Sequence, residues 1–201
     1  MIEAMDRLLG TMDREIGQSL KILMKKRGVE IYTGTKVERI ETEDGLSVIA
    51  TEKEQTVIAG ADAVLVAVGR RAYTESLFGK ELDLKVERGK ILVNENFETS
   101  IPGIYAAGDC IGGIQLAHVA QAEAVNAVCA MMNRPPAFDL SVIPSCVYTN
   151  PEIASVGMTV EEAKRVLKAK AGLSDTTITY LYNYRWGDDL LLKLAAAVEG
   201  K

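Results

Sequence analysis

From Ala61 to Gly69 the chain reads ADAVLVAVG, a nearly unbroken apolar run that carries one charge and closes on a glycine. The run does not alternate, so it does not describe a strand with one wet face. It predicts a strand buried on both faces, as in a parallel sheet covered by helices. That demand constrains the chain more than any other feature and points to an α/β fold class.

The flanking segments agree with such a class. Ile16, Leu20, Leu23 and Met24 recur at helical spacing between residues 12 and 27, with Asp13 and Glu15 near the start. Lys25, Lys26 and Arg27 then precede Gly28, a normal helix ending. The runs VEIYT, TKVERIET, LSVIAT and QTVIAG, parted by Glu43-Asp44-Gly45 and by polar residues, predict a meander. The pattern weakens from Arg70 to Arg88. ILVNENFETSIPGIYAAGD then predicts two short strands around a Ser-Ile-Pro-Gly turn. A long helix follows from about Leu116 to Met132, with Val119, Ala120, Val125, Val128 and Met132 on its apolar side. Asn133-Arg134-Pro135-Pro136 closes it and marks a domain boundary. Farther on, SVIPSCVYT reads as a strand. TVEEAKRVLKAKAG reads as a helix capped by Thr159 ahead of Glu162, and TTITYLYNY as a strand again.

Composition excludes several classes of partner. With 48% apolar and 25% charged residues among 201, the chain has material for one good core or two modest ones. A net charge of -5 without a basic stripe argues against nucleic acid. No apolar run approaches the roughly 20 residues that span a bilayer, and MIEAMDRLLG lacks the layout of a signal peptide, so a cytoplasmic protein with no membrane contact is expected. Cys110, Cys129 and Cys146 lie too far apart for a CxxC or CxxxxC redox pair, and Cys129, within AVNAVCAMM, reads as a buried thiol. One histidine cannot build a multi-histidine zinc site, and no metal is expected.

Asp109 is the sharpest single candidate, a carboxylate at the end of GIYAAGD, where α/β sheets bind ligands; Gly108 lets the backbone approach closely. A plain turn aspartate and a hydroxyl-binding one both remain open on these residues alone. The helix that starts with LAHVAQ would aim its free amides and positive end at the same crevice, stabilising negative charge there. His118, in its first turn, has no acidic partner at a telling spacing and reads as a packing or capping residue before a proton donor. Glu3 alone is a terminal charge, because the glycine-rich loop that would make it a ribose ligand is not in the sequence. Tyr180, Tyr182, Tyr184 and Trp186 read as one face of a strand rather than a stacking platform.

Six segments in order, IEAMDRLLGTMDREI, KKRGVEIYTGTKVERIE, VLVAVGRRAYTESL, TSIPGIYAAGD, LAHVAQAEA and IPSCVYTNPEIASVGMTVEEAK, resemble dihydrolipoamide dehydrogenases within the pyridine nucleotide-disulfide oxidoreductases. The resemblance runs to about residue 166, and LAH at 116 to 118 points to the lipoamide branch. It implies that residues 1-70 are the second half of a Rossmann-like NAD domain, 71-138 the closing segment of an FAD domain, and 139-201 an incomplete α+β dimerisation domain. It also implies FAD and NAD as cofactors. Glu3 would bind the adenine ribose of NAD, Val37 lie beside the adenine, and Gly69 let the chain pass the dinucleotide. Asp109 would hold the FAD ribityl chain, with the backbone at Ala117 and His118 next to the flavin ring. The implied partners are a second copy, as a homodimer, and the lipoyl domains of 2-oxo acid dehydrogenase complexes or the glycine cleavage system.

The sequence departs from that family in what it lacks: the FAD fingerprint, the redox CxxxxC, the NAD glycine loop and the His-Glu pair. Each loss removes a step, from phosphate binding to proton transfer. An internal fragment, inactive alone and prone to associate, is therefore expected. One half of a split protein or assembly module, and a mercuric or glutathione type of reductase, are the alternatives.

Overall fold

The computed structural model describes residues 1–79, 81–175, 177–178 and 187–200. The chain forms two compact units, one of Met1–Val66 with Cys146–Lys201 and one of Ala67–Ser145.

In the first unit a short parallel pair, β1 (Ile2–Glu3) and β2 (Tyr32–Thr33), is joined through α1 (Arg14–Lys26). The helix forms where the spacing of Ile16, Leu20, Leu23 and Met24 predicts it, and Gly28 follows in the left-handed region with φ 84. The side chain of Asp13, at its N-cap, makes no bond to its own helix. Its Oδ1 accepts the Val160 amide at 2.7 Å instead, tying the start of α1 to the start of α3 (Val160–Ala171).

The meander is present as β3 (Thr35–Glu41), β4 (Ser47–Glu52) and β5 (Gln55–Gly60), an antiparallel sheet with β4 in the centre. Central position explains why Val48, Ile49 and Ala50 are buried while most of β3 and β5 is not. A bulge shifts the register between Val37 and Arg39. Farther on, β8 (Pro144–Val147) and β9 (Ile153–Val156) form a two-stranded sheet.

Thr159 and Glu162 make the expected capping box, Glu162 N to Thr159 Oγ1 at 3.2 Å and Thr159 N to Glu162 Oε2 at 2.8 Å. The helix that results buries Ala163 and Leu167 against Ile178 and against Leu191 and Ala195 of α4 (Gly187–Glu199), the main apolar cluster of this unit. The segment TTITYLYNY departs from its strand reading at its start: Thr177 and Ile178 are helical, with Ser174 Oγ accepting the Thr177 amide at 3.1 Å. A serine three residues ahead offers a helix start that the β-branched composition concealed. Tyr180, Tyr182, Tyr184 and Trp186 lie outside the described residues.

In the second unit β6 (Val86–Glu87) and β7 (Lys90–Ile91) form a hairpin. The two strands expected around Ser100 to Gly103 shrink to single bridges, Val93 with Thr99 and Glu98 with Tyr105. The chain then enters a 3-10 turn, Gly108–Ile111, and the helix α2, Ala117–Met131. That helix ends in a Schellman arrangement. Asn133, at φ 52, donates to Ala130 O and Arg134 donates to Cys129 O at 2.8 Å.

The buried face of α2 differs from expectation. Val119, Glu123, Asn126 and Ala127 are inside, whereas Val128 and Met132 are exposed. Apolarity alone misassigned the face because two polar side chains are buried by hydrogen bonding to backbone. Asn126 accepts from Ala137 and Phe138 N–H at 2.9 and 3.0 Å and donates to Phe138 O at 2.9 Å, fastening the proline-rich loop.

The run from Ala61 to Gly69 is the largest departure. It is not paired in any sheet, and Leu65 and Val68 are 91% and 89% exposed. Its composition specifies two covered faces, and among the described residues no neighbouring strand or helix supplies them.

Candidate functional site

The candidate residues divide between the units. Glu3 and Val37 belong to the first. Glu3 closes β1, and its Oε1 accepts the Met5 amide at 2.8 Å, so the carboxylate shapes the turn that follows the strand. Val37 stands beside the bulge in β3, partnered with Ala50 across the ladder, and is 41% exposed. Gly69, Asp109, Ala117 and His118 belong to the second unit, where three of them share one structure, the 3-10 turn and the start of α2.

That structure is built from the backbone of Gly108. Its φ of 81 suits glycine, and a β-carbon there would meet the Cβ of Ala120 at 3.0 Å, so the turn lies directly on α2. The Gly108 N–H donates to Glu123 Oε2 at 2.7 Å, a buried bond spanning 15 residues. Glu123 is therefore the anchor of the turn. Sequence reasoning passed over it because an acidic residue in mid-helix ordinarily faces water; its spacing from Val119, at i and i+4, is the signal that could have marked it.

Beyond this anchor the Asp109 side chain stands half-exposed. Arg70, next to Gly69, reaches it from 39 positions earlier in the chain, with guanidinium Nη1 at 3.7 Å from Asp109 Oδ2. The other arm, Nη2, donates to the carbonyl of Gln115, just ahead of α2. Lys90 is a second cation, lying across Gly112 so that a β-carbon there would meet its Nζ at 2.9 Å. The sequence reading gave neither cation a role at the site.

The N-cap of α2 is Leu116, which has no side-chain acceptor; its carbonyl takes the amides of Val119 and Ala120, both at 3.0 Å. The amides of Ala117 and His118 keep no partner among the described residues, and both residues are exposed. The turn and the start of α2 thus carry two free donors, the positive helix end, a carboxylate paired with Arg70, and a second cation at Gly112. Chemically this set offers an acceptor for a ligand hydroxyl through Asp109 and a place for negative charge at the helix start.

The His118 ring takes no part in that set. Its Nε2 lies 2.8 Å from the Pro144 carbonyl, which accepts, so Nε2 is the donor of this bond. Cys110 Sγ donates to Ala107 O at 3.3 Å, Cys129 is half-buried rather than buried, and Cys146 is exposed. Among the described residues no cluster of three or more His, Cys, Asp or Glu is arranged to hold a metal, and no helix is long and apolar enough to cross a membrane.

Residues 1–124 match the family described as pyridine nucleotide-disulphide oxidoreductase. A dihydrolipoyl dehydrogenase of Bacillus subtilis (strain 168) is 43% identical over 169 residues, 82% of this chain and 35% of that protein. A mitochondrial dihydrolipoyl dehydrogenase of Pisum sativum is 37% identical over 169 residues, 82% of this chain and 34% of that protein. Among solved structures, the HOCl-induced flavoprotein disulfide reductase RclA from Escherichia coli aligns with a TM-score of 0.68 at 28% identity, over 82% of this chain and 38% of that one. The chain thus spans about a third of the length of the curated relatives it matches. The likeness to a solved flavoprotein reductase agrees with the α/β class.

Proposed function

Because the chain belongs to the pyridine nucleotide-disulphide oxidoreductase family, we propose that it supplies part of the flavin-binding and part of the NAD-binding surface of a dihydrolipoyl dehydrogenase. The observation that carries this reading is the turn at Asp109, anchored by Glu123 and set beside the free amides of Ala117 and His118.

The residues present suit a flavin at one end. Asp109, an exposed acceptor, would take a ribityl hydroxyl, and the uncapped start of α2 would lie at the ring; bound FAD would supply electron transfer between a dithiol and a pyridine nucleotide. What the chain does there is bind, orient and stabilise charge. Glu3, at the end of β1, is the acceptor for the adenine ribose of NAD, Val37 the apolar contact beside the adenine, and Gly69 the point where the chain passes the dinucleotide.

The reacting groups of the parent reaction, a CxxxxC pair and a His-Glu pair, do not occur in this sequence, and neither do the glycine loops for the two pyrophosphates. The chain is accordingly a binding contributor, inactive alone. The substrate of the whole protein is protein-bound dihydrolipoamide, its partners are lipoyl domains and a second copy of the chain, and the setting is the cytoplasm. A different disulfide substrate is the second reading, favoured by the likeness to RclA.

Titration of FAD with the chain tests the proposal through flavin fluorescence and through visible absorbance retained after desalting. The expected result is weak saturable binding that Asp109→Asn weakens further. Binding unaffected by D109N would refute the assignment of the turn, and no binding at all would refute the flavin part of the reading.

A further inference from the structure

We propose that the hollow formed by the carboxyl end of α2, the turn at Glu95 to Phe97 and the proline-rich loop is a binding site for a free α-amino acid with an apolar side chain. It lies wholly within the second unit, and it is independent of the flavin reading.

Size sets the class of ligand first. The cavity measures about 420 Å³, at the low end of the roughly 300–1,000 Å³ that small-molecule sites occupy. That volume suits a metabolite of amino-acid size rather than a dinucleotide.

The walls narrow the class. The side chains of Phe97 and Phe138 line the cavity, and Phe138 is 50% exposed, so an apolar group bound there would cover it. Arg134 and Glu95 line it as well; neither charged group has a partner among the described residues, and the two do not pair with each other. The Asn96 side chain is in the same state, since only its backbone N–H is bound, to Asn94 Oδ1 at 2.9 Å. Other polar groups of the lining are already engaged: Asn126 holds the backbone of Ala137 and Phe138, and Asp139 Oδ1 accepts the Ser141 amide at 2.8 Å. One free cation, one free anion and two rings therefore remain. Their complement on a single small molecule is a carboxylate, an ammonium and an apolar group. The planar fork of Arg134 suits the carboxylate. The negative end of α2, whose last turn reaches the cavity at Ala130, favours the ammonium, as Glu95 does.

The same walls are fixed before a ligand arrives. Phe97 lies in the left-handed region at φ 65, a strained conformation for a bulky residue. Its N–H donates to Asn94 O and its carbonyl accepts the Ala106 amide, both at 3.0 Å, which holds it there. Arg134 is held through its own N–H on Cys129 O at 2.8 Å. Walls ordered in advance lose little freedom on binding.

The test titrates the whole chain with L-leucine, followed by the amide chemical shifts of Phe97 and Phe138. Leucinamide, which lacks the carboxylate, and isocaproate, which lacks the ammonium, are titrated beside it. Leucine should shift both amides saturably, and each analogue should bind about two- to fivefold more weakly, the range of an exposed ion pair. R134Q should lose the preference for leucine over leucinamide, and E95Q the preference over isocaproate. Their urea midpoints should stay unmoved, because neither side chain bonds to the fold. No saturable shift at the two amides, equal affinity for the three molecules, or variants that keep both preferences would overturn the proposal. Should a variant unfold, the three affinities of the unaltered chain decide alone: preference for the zwitterion upholds the site, and no preference ends it.

Discussion

Replacing Glu123 tests the local architecture most directly, because the structure fixes the magnitude of the loss. Glu123 is 8% exposed, and its Oε2 accepts the Gly108 N–H at 2.7 Å. In Glu123→Ala that amide stays buried against α2 without an acceptor. A buried donor left unpaired costs about 1–3 kcal/mol. The better helix propensity of alanine returns a few tenths, so a net loss of about 2 kcal/mol is expected. With a urea dependence of about 2 kcal/mol per molar, the midpoint of the unfolding transition should fall by about 1 M. Glu123→Gln keeps an oxygen at nearly the same place and should lose less than half as much. Urea unfolding followed by circular dichroism gives the midpoints, and amide exchange at Gly108 reports the bond itself. The reasoning fails if E123A and E123Q shift the midpoint equally, or if Gly108 stays protected in E123A. Either result would mean that packing against Ala120, rather than the carboxyl, holds the turn.

Two further outcomes follow from bonds elsewhere in the chain. Thr159→Ala removes the side-chain half of the capping box on α3 and should cost about 1 kcal/mol, read as a lowered thermal midpoint, while Thr159→Ser should stay close to the unaltered chain. The phenol of Tyr32 is held above its ordinary value of 10.0, first by the charge of Glu30 and then by the hydrogen bond to its Oε2 at 3.2 Å. A folded pKa raised in this way gives a contribution to stability fully present below 10.0 and lost as pH rises through the folded value. Glu30→Gln should move one tyrosine of the ultraviolet titration to lower pH, and a curve unchanged by E30Q would contradict the assignment.

Local elements were legible in the sequence where one short-range signal decides them. The capping box of α3, the basic end of α1 before Gly28, and the turn-separated strands of the β3–β5 meander each depend on neighbours within a few residues. Asp109 was legible as a candidate for the same reason, since a strand-like segment running into Gly-Asp is a local pattern. What escaped the sequence is the set of long-range polar bonds that shape the site. Arg70 meets Asp109 and Gln115, Glu123 meets Gly108, and Asn126 meets the loop at 137 and 138 only after the chain has folded. Hydrophobic periodicity is blind to such bonds. It placed Val128 and Met132 on the inner side of α2, where Glu123 and Asn126 lie instead.

The run from Ala61 to Gly69 separates two things that a sequence specifies. Its composition states the environment a segment needs, here apolar cover on both faces, and that statement follows from the absence of alternation. Whether the cover exists is decided by other segments, and among the described residues it does not: Leu65, Val66 and Val68 face solvent and the run joins no sheet. An apolar run without cover is a demand for neighbours. The same separation holds at the candidate site. Asp109 offers an acceptor and the start of α2 two free amides, while no glycine-rich phosphate loop occurs in the sequence.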